Sequence, residues 1–126
     1  MGLKQQFIKN YINLKIIYQE DGLMQLHTAR LQQLSTDWQF YEDEIVPLFH
    51  ILQGVNHVKV DYLQGTITIK YNSAQLSTSQ VAKWVELFLN TLIENMEDIK
   101  EYWESDPDKL RNLITAKLKT QCAKVK

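Results

Sequence analysis

Apolar residues along this chain switch between a helical and a strand period, and the switches mark its elements. Leu3, Phe7, Ile8, Tyr11 and Ile12 follow a helical spacing. They predict a short amphipathic lead-in over 1–13, too short to hold without docking. Residues 14–28 read as extended: Ile16, Ile17 and Tyr18 are strand formers, and Met24 and Leu26 alternate with Gln25 and His27. Asp21-Gly22 interrupts this stretch. It marks either a tight hairpin turn or one long strand bulged at Gly22.

A helical region follows. Thr36 and Gln39 have the form of a capping box, and Trp38, Tyr41, Ile45, Leu48 and Leu52 share one face. Pro47 predicts a kink, or a regular stretch that begins near Pro47 itself. Gly54 closes it. Two strands come next. His57, Lys59 and Asp61 alternate with Val58 and Val60, and Thr68 and Lys70 alternate with Ile67 and Ile69. One polar and one apolar face predict an antiparallel hairpin covered on one side. Ser77 and Gln80 form a second capping box, with Leu76 and Val81 as a hydrophobic staple. Val81, Trp84, Val85, Phe88, Leu92, Met96, Ile99 and Trp103 then predict one long helix with a buried stripe. Asp106-Pro107 restarts a last helix, with Leu110, Leu113, Ile114 and Leu118 on its apolar face.

Strand, helix, strand, strand, helix is the order of a ferredoxin-like βαββα core. The expected class is α+β: an antiparallel sheet with helices on one face, additional C-terminal helices and no clear fourth strand. Without that strand the first strand is an open edge, inviting another chain, unless the lead-in or a loop covers it.

Composition narrows the function classes. The chain has 126 residues, 44% hydrophobic and 23% charged, which suits one globular domain. A net charge of -1 lacks the basic excess of a nucleic-acid binder. No signal peptide or membrane-spanning run is present, which makes a cytoplasmic protein the simplest expectation. No phosphate loop, Ser-His-Asp order or HExxH motif appears, so no enzyme is expected.

The candidate chemistry is sparse. Of His27, His50 and His57, His27 and His57 are the candidate metal ligands, if they share the polar face of one sheet. A site needs three or four convergent ligands, and no recognised spacing supplies them. Solvent-facing or structural histidines are the simpler reading. Cys122 stands alone near the chain's end, with no fixed basic partner, and is expected to be exposed. Charge is segregated: residues 94–108 carry seven acids and one base, residues 109–126 six bases and no acid. Glu94, Glu97, Asp98 and Glu101 on one side, and Lys109, Arg111, Lys117 and Lys119 on the other, are the candidate interaction residues. Their opposite charges could face each other within the chain, order a self-assembly contact, or set a basic helix against an anionic membrane surface.

The segment LQGVNHVKVDYLQGTITIKYN, residues 52–72, is specific. Gly54-Val55, the hairpin Gly65 and the closing Tyr71-Asn72 resemble the core of heavy-metal-associated (HMA-type) domains. The nearest likeness is to the cysteine-free variant found beside heavy-metal P-type ATPases. The resemblance covers 14–95, preceded by the lead-in over 1–13 and followed by a helical extension over 96–126. It implies a ferredoxin-like fold and, in bacteria, a regulatory or interaction role in metal homeostasis, with iron as the metal. The CxxC of metal-carrying members is absent from residues 28–43, so their thiolate grip on a soft ion is lost. The Gly-Arg-x-Arg run of the cysteine-free variant is also missing, since Leu23, Met24 and Gln25 follow Gly22. The expectation is therefore a non-catalytic module without a cofactor, whose protein partner is a metal-transporting P-type ATPase. The alternatives are a metal or haem carrier using histidines and carboxylates, and a subunit that self-assembles through the open edge or the C-terminal helices.

Overall fold

The computed structural model describes residues 14–28, 43, 45–61 and 63–125. The lead-in and the Thr36 capping box lie outside these residues. Lys15–Glu20 (β1) and Leu23–His27 (β2) form an antiparallel hairpin around Asp21-Gly22. Gly22 adopts φ +78, and a Cβ built on it would stand 2.8 Å from the Tyr71 carbonyl oxygen. Beside it, the Tyr71 N–H donates to the Gly22 carbonyl at 2.9 Å. Both the conformation and the close approach require glycine. The bulge in this hairpin lies instead between Ile16 and Tyr18.

Val55–Asp61 (β3) and Thr66–Tyr71 (β4) make the second hairpin. The two hairpins join along β2 and β4 into a four-stranded antiparallel sheet of order β1-β2-β4-β3. The expectation of no fourth strand is thereby corrected: a local hairpin supplies it. The open edge expected on the first strand lies on β1, while β2 is paired on both sides.

At Pro47 the chain tightens into a 3₁₀ helix, Val46–Ile51, with proline in its first turn. Beyond it, Gly54 (φ +105) turns into β3 with Leu76 packed 2.9 Å from where a Cβ would sit. The second capping box forms as predicted. Gln80 N–H donates to Ser77 Oγ at 3.2 Å, and Ser77 N–H donates to Gln80 Oε1 at 2.8 Å.

The single long helix is two: Thr78–Glu94 (α1) and Met96–Ser105 (α2). Thr91 Oγ1 donates to the Leu87 carbonyl and Asn95 Nδ2 to the Thr91 carbonyl, each at 2.7 Å. Such back-bonds compete with the helical ladder and bend it, and Asn95 leaves helical geometry at φ −113, ψ 18. Beyond the break Met96 and Trp103 are only half-buried. Pro107–Ala123 (α3) starts as expected, with Asp106 Oδ1 accepting from Lys109 N–H at 3.1 Å.

All these elements share one core. Met24, Leu26, Val58, Ile67 and Ile69 present the sheet's apolar face to Trp84, Phe88 and Leu92 of α1. Phe49 of the 3₁₀ helix stacks on Phe88 at 3.7 Å between ring centroids, and Trp84 meets Phe88 edge-on at 5.7 Å. The Trp84 indole N–H donates to the Phe49 carbonyl at 3.1 Å. α3 packs on α1, α2 and the 3₁₀ helix through Leu110, Ile114 and Leu118. This docking corrects the expected exposure of Cys122. Its thiol is buried, with Sγ 3.9 Å from the Ile51 carbonyl oxygen.

Two stability measurements check this account. Gly22→Ala should cost about 1–3 kcal/mol in chemical denaturation, through strain at positive φ and the clash with Tyr71. Asn90 is buried on α1 with Oδ1 unpartnered. Asn90→Leu should raise stability by about 1 kcal/mol, because an unsatisfied buried acceptor is replaced by an apolar group of similar size.

Candidate functional site

Helices cover one face of the sheet, and no described element crosses the other. On that outer face the strand registers align three rows that each run across all four strands. The first row is Lys15, His27, Thr66 and Asp61. The second is Tyr18, Gln25, Thr68 and Lys59. The third is Glu20, Leu23, Lys70 and His57. The period-2 alternation of each strand sends these side chains away from the core. The bulge at Ile17 restores the phase in β1, so that Lys15, Tyr18 and Glu20 share the outer face.

The middle of this face is ordered by hydrogen bonds. Gln25 Nε2 donates to Thr68 Oγ1 at 3.1 Å. The Tyr18 hydroxyl donates to the Glu20 carboxylate, and this bond, with the carboxylate's charge, holds the phenol above its usual value of 10.0. On the opposite face of β1, Gln19 Nε2 donates to Thr78 Oγ1 at 2.9 Å, tying the edge strand to the start of α1.

The candidate histidines do share the outer face, but they stand apart. His27 lies on β2 in the first row and His57 on β3 in the third, with β4 between them. Strand spacing and rise put their backbones about 16 Å apart. Among the described residues no group of three or more His, Cys, Asp or Glu is placed to hold a metal ion. His50 lies elsewhere, with Nδ1 2.9 Å from the Val55 carbonyl oxygen.

The candidate charged residues of the C-terminal helices lie mostly on the surface. Glu94, Glu97 and Glu101 are exposed and Asp98 is half-buried, while Lys109, Arg111, Lys117 and Lys119 are exposed. The Arg111–Asp108 pair, at 3.9 Å, lies within α3 between exposed side chains and is worth little. Across the α2–α3 corner, Lys109 Nζ sits 4.5 Å from the centre of the Tyr102 ring. Where these helices meet the 3₁₀ helix, Ile45, Leu48, Leu92, Ile99, Trp103 and Leu110 line an apolar recess of ≈ 30 Å³. Its lining includes no His, Cys, Asp or Glu. No described helix is long and apolar enough to cross a membrane.

The open edge expected on the first strand carries apolar side chains. Ile16, Ile17 and Tyr18 are exposed on β1, the outermost strand. The Asp-Gly pair was the available signal, because a hairpin there makes β1 the edge.

No family model, curated protein or solved structure matches this chain.

Titration of Tyr18 tests the outer-face geometry. Its phenol should stay neutral to a pH above 10.0. A raised native value favours the neutral form, so its contribution to stability is present below pH 10 and fades as the pH rises through that value. Glu20→Gln should return the transition to the ordinary range, read by NMR on ring-labelled tyrosine.

Proposed function

We propose that this chain is a non-catalytic, cysteine-free module of the heavy-metal-associated type, serving metal homeostasis by docking on a protein partner. The partner the resemblance implies is a metal-transporting P-type ATPase, with iron as the metal. The observation that carries the reading is the outer sheet face. It offers three registered rows of largely polar side chains, including Lys15, Lys59 and Lys70, with no described element over it. Such a face suits protein recognition, in which paired polar groups fix orientation and partner choice.

The ferredoxin-like part of the reading draws on strand order. β2, β4 and β3 lie side by side, as the first, third and second strands of such a sheet would, and β1 stands where its fourth strand would. Gly54 and Gly65, which carry the resemblance, both adopt positive φ at turns into strands. The separation of His27 from His57 favours docking over metal carriage.

Two measurements test the proposal. Calorimetric titration with Fe²⁺, Zn²⁺ and Cu⁺ should give no stoichiometric binding. A 1:1 site lost on His27→Ala/His57→Ala would transfer the reading to metal carriage. The cytosolic region of a heavy-metal P-type ATPase from the same organism should bind the chain, and Lys59→Glu/Lys70→Glu should weaken that binding about tenfold. Absence of binding by the unaltered chain would sink this choice of partner.

A further inference from the structure

Among the described residues β1 pairs with β2 on one side only, and all six of its residues are exposed. Edge strands are ordinarily blunted by charge, proline or a cover. Here Lys15 and Glu20 stand at the two ends, and between them Ile16, Ile17 and Tyr18 are 46%, 52% and 49% exposed. We propose that β1 is a self-recognition edge, pairing antiparallel with β1 of a second copy of this chain about a two-fold axis.

Three independent features select the same register. The first is charge. KIIYQE placed antiparallel against itself sets Lys15 opposite Glu20 of the second copy, and the two-fold repeats that pair. The centre then faces Ile17 with Tyr18 of the second copy. The second feature is side-chain direction. Residues opposite each other in a sheet must share a face. The bulge at Ile17 puts Lys15 with Glu20 on the outer face, and Ile16 with Gln19 on the inner one. In an unbulged strand these partners would point to opposite faces.

The third feature is the backbone. Thr28 N–H donates to Gly65, and the Gly22 carbonyl accepts from Tyr71, so even-numbered residues of this segment address β4. Leu23, Gln25 and His27 therefore address β1, and their partners Glu20, Tyr18 and Lys15 address β2. Ile16 and Gln19 are left with their amide and carbonyl groups turned outward. The register that matches the charges sets Ile16 opposite Gln19 of the second copy, outward group to outward group. The resulting dimer has one continuous eight-stranded sheet with both outer faces on the same side. A six-residue strand pair is a small interface, which points to a dissociation constant in the about micromolar range.

Sedimentation of the full chain between about 1 μM and 1 mM tests this, with circular dichroism verifying that every variant is folded. The unaltered chain should show a monomer–dimer equilibrium, and Ile17→Lys should remove it. Lys15→Glu alone and Glu20→Lys alone each set like charges opposite one another, and each should weaken the dimer about tenfold. An equimolar mixture of those two single variants should associate again, because every cross pair is then Glu against Lys. A chain that stays monomeric at 1 mM overturns the proposal, as does a dimer that no β1 variant disturbs. Failure of the mixture to associate overturns the register. These readouts use the chain alone, so they are separate from the outcome of any ATPase binding experiment.

Discussion

The Trp84 indole lies fully buried between two layers and spends its one polar group on the Phe49 carbonyl, while Phe88 stacks on the ring of that same Phe49. This clamp joins the 3₁₀ helix to α1 at the place where neither could be covered alone. A 3₁₀ helix has poor internal hydrogen bonding and rarely persists without outside support. With Phe49 held, the 3₁₀ helix offers a surface to α3, and the core extends unbroken from β2 to the chain's last turns. The sheet's apolar face is thereby sealed from one side, leaving its other face uncovered by any described element.

Local signals were legible in the sequence wherever the chemistry is confined to a few neighbours. Ser77 with Gln80, and Asp106 with Pro107, specify their helix starts through hydrogen bonds that span three residues. The alternation of Val58, Val60, Ile67 and Ile69 likewise marks the second hairpin. The break at Asn95 was hidden because the apolar stripe runs straight through it. What ends α1 is a pair of side-chain bonds to backbone carbonyls, and periodicity is blind to those. The burial of Cys122 was equally illegible, since it depends on where α3 docks and not on what surrounds the residue in sequence.

The functional surface divides along the same line. That His27 and His57 share a face follows from strand alternation alone. That they stand in different rows depends on register, which the turn at Asp21-Gly22 and the pairing of β2 with β4 decide together. The expected open edge is there, but the turn at Asp21-Gly22 makes the strand that carries it β1 alone and not the whole of residues 14–28. A polar, registered face and an apolar, charge-terminated edge are different kinds of surface, and they share Lys15, Tyr18 and Glu20 of β1.

The Asp21-Gly22 turn also sets the order in which the sheet can assemble. A fourth strand returning after the last helix would close a loop of many tens of residues before its first contact formed. β1 meets β2 across a loop of two residues. Closure entropy grows with loop length, and folding rates fall as contacts become more distant in sequence. The edge strand is thus among the cheapest parts of this sheet to form. The β1–β2 pairing itself does not wait on the placement of α2 or α3.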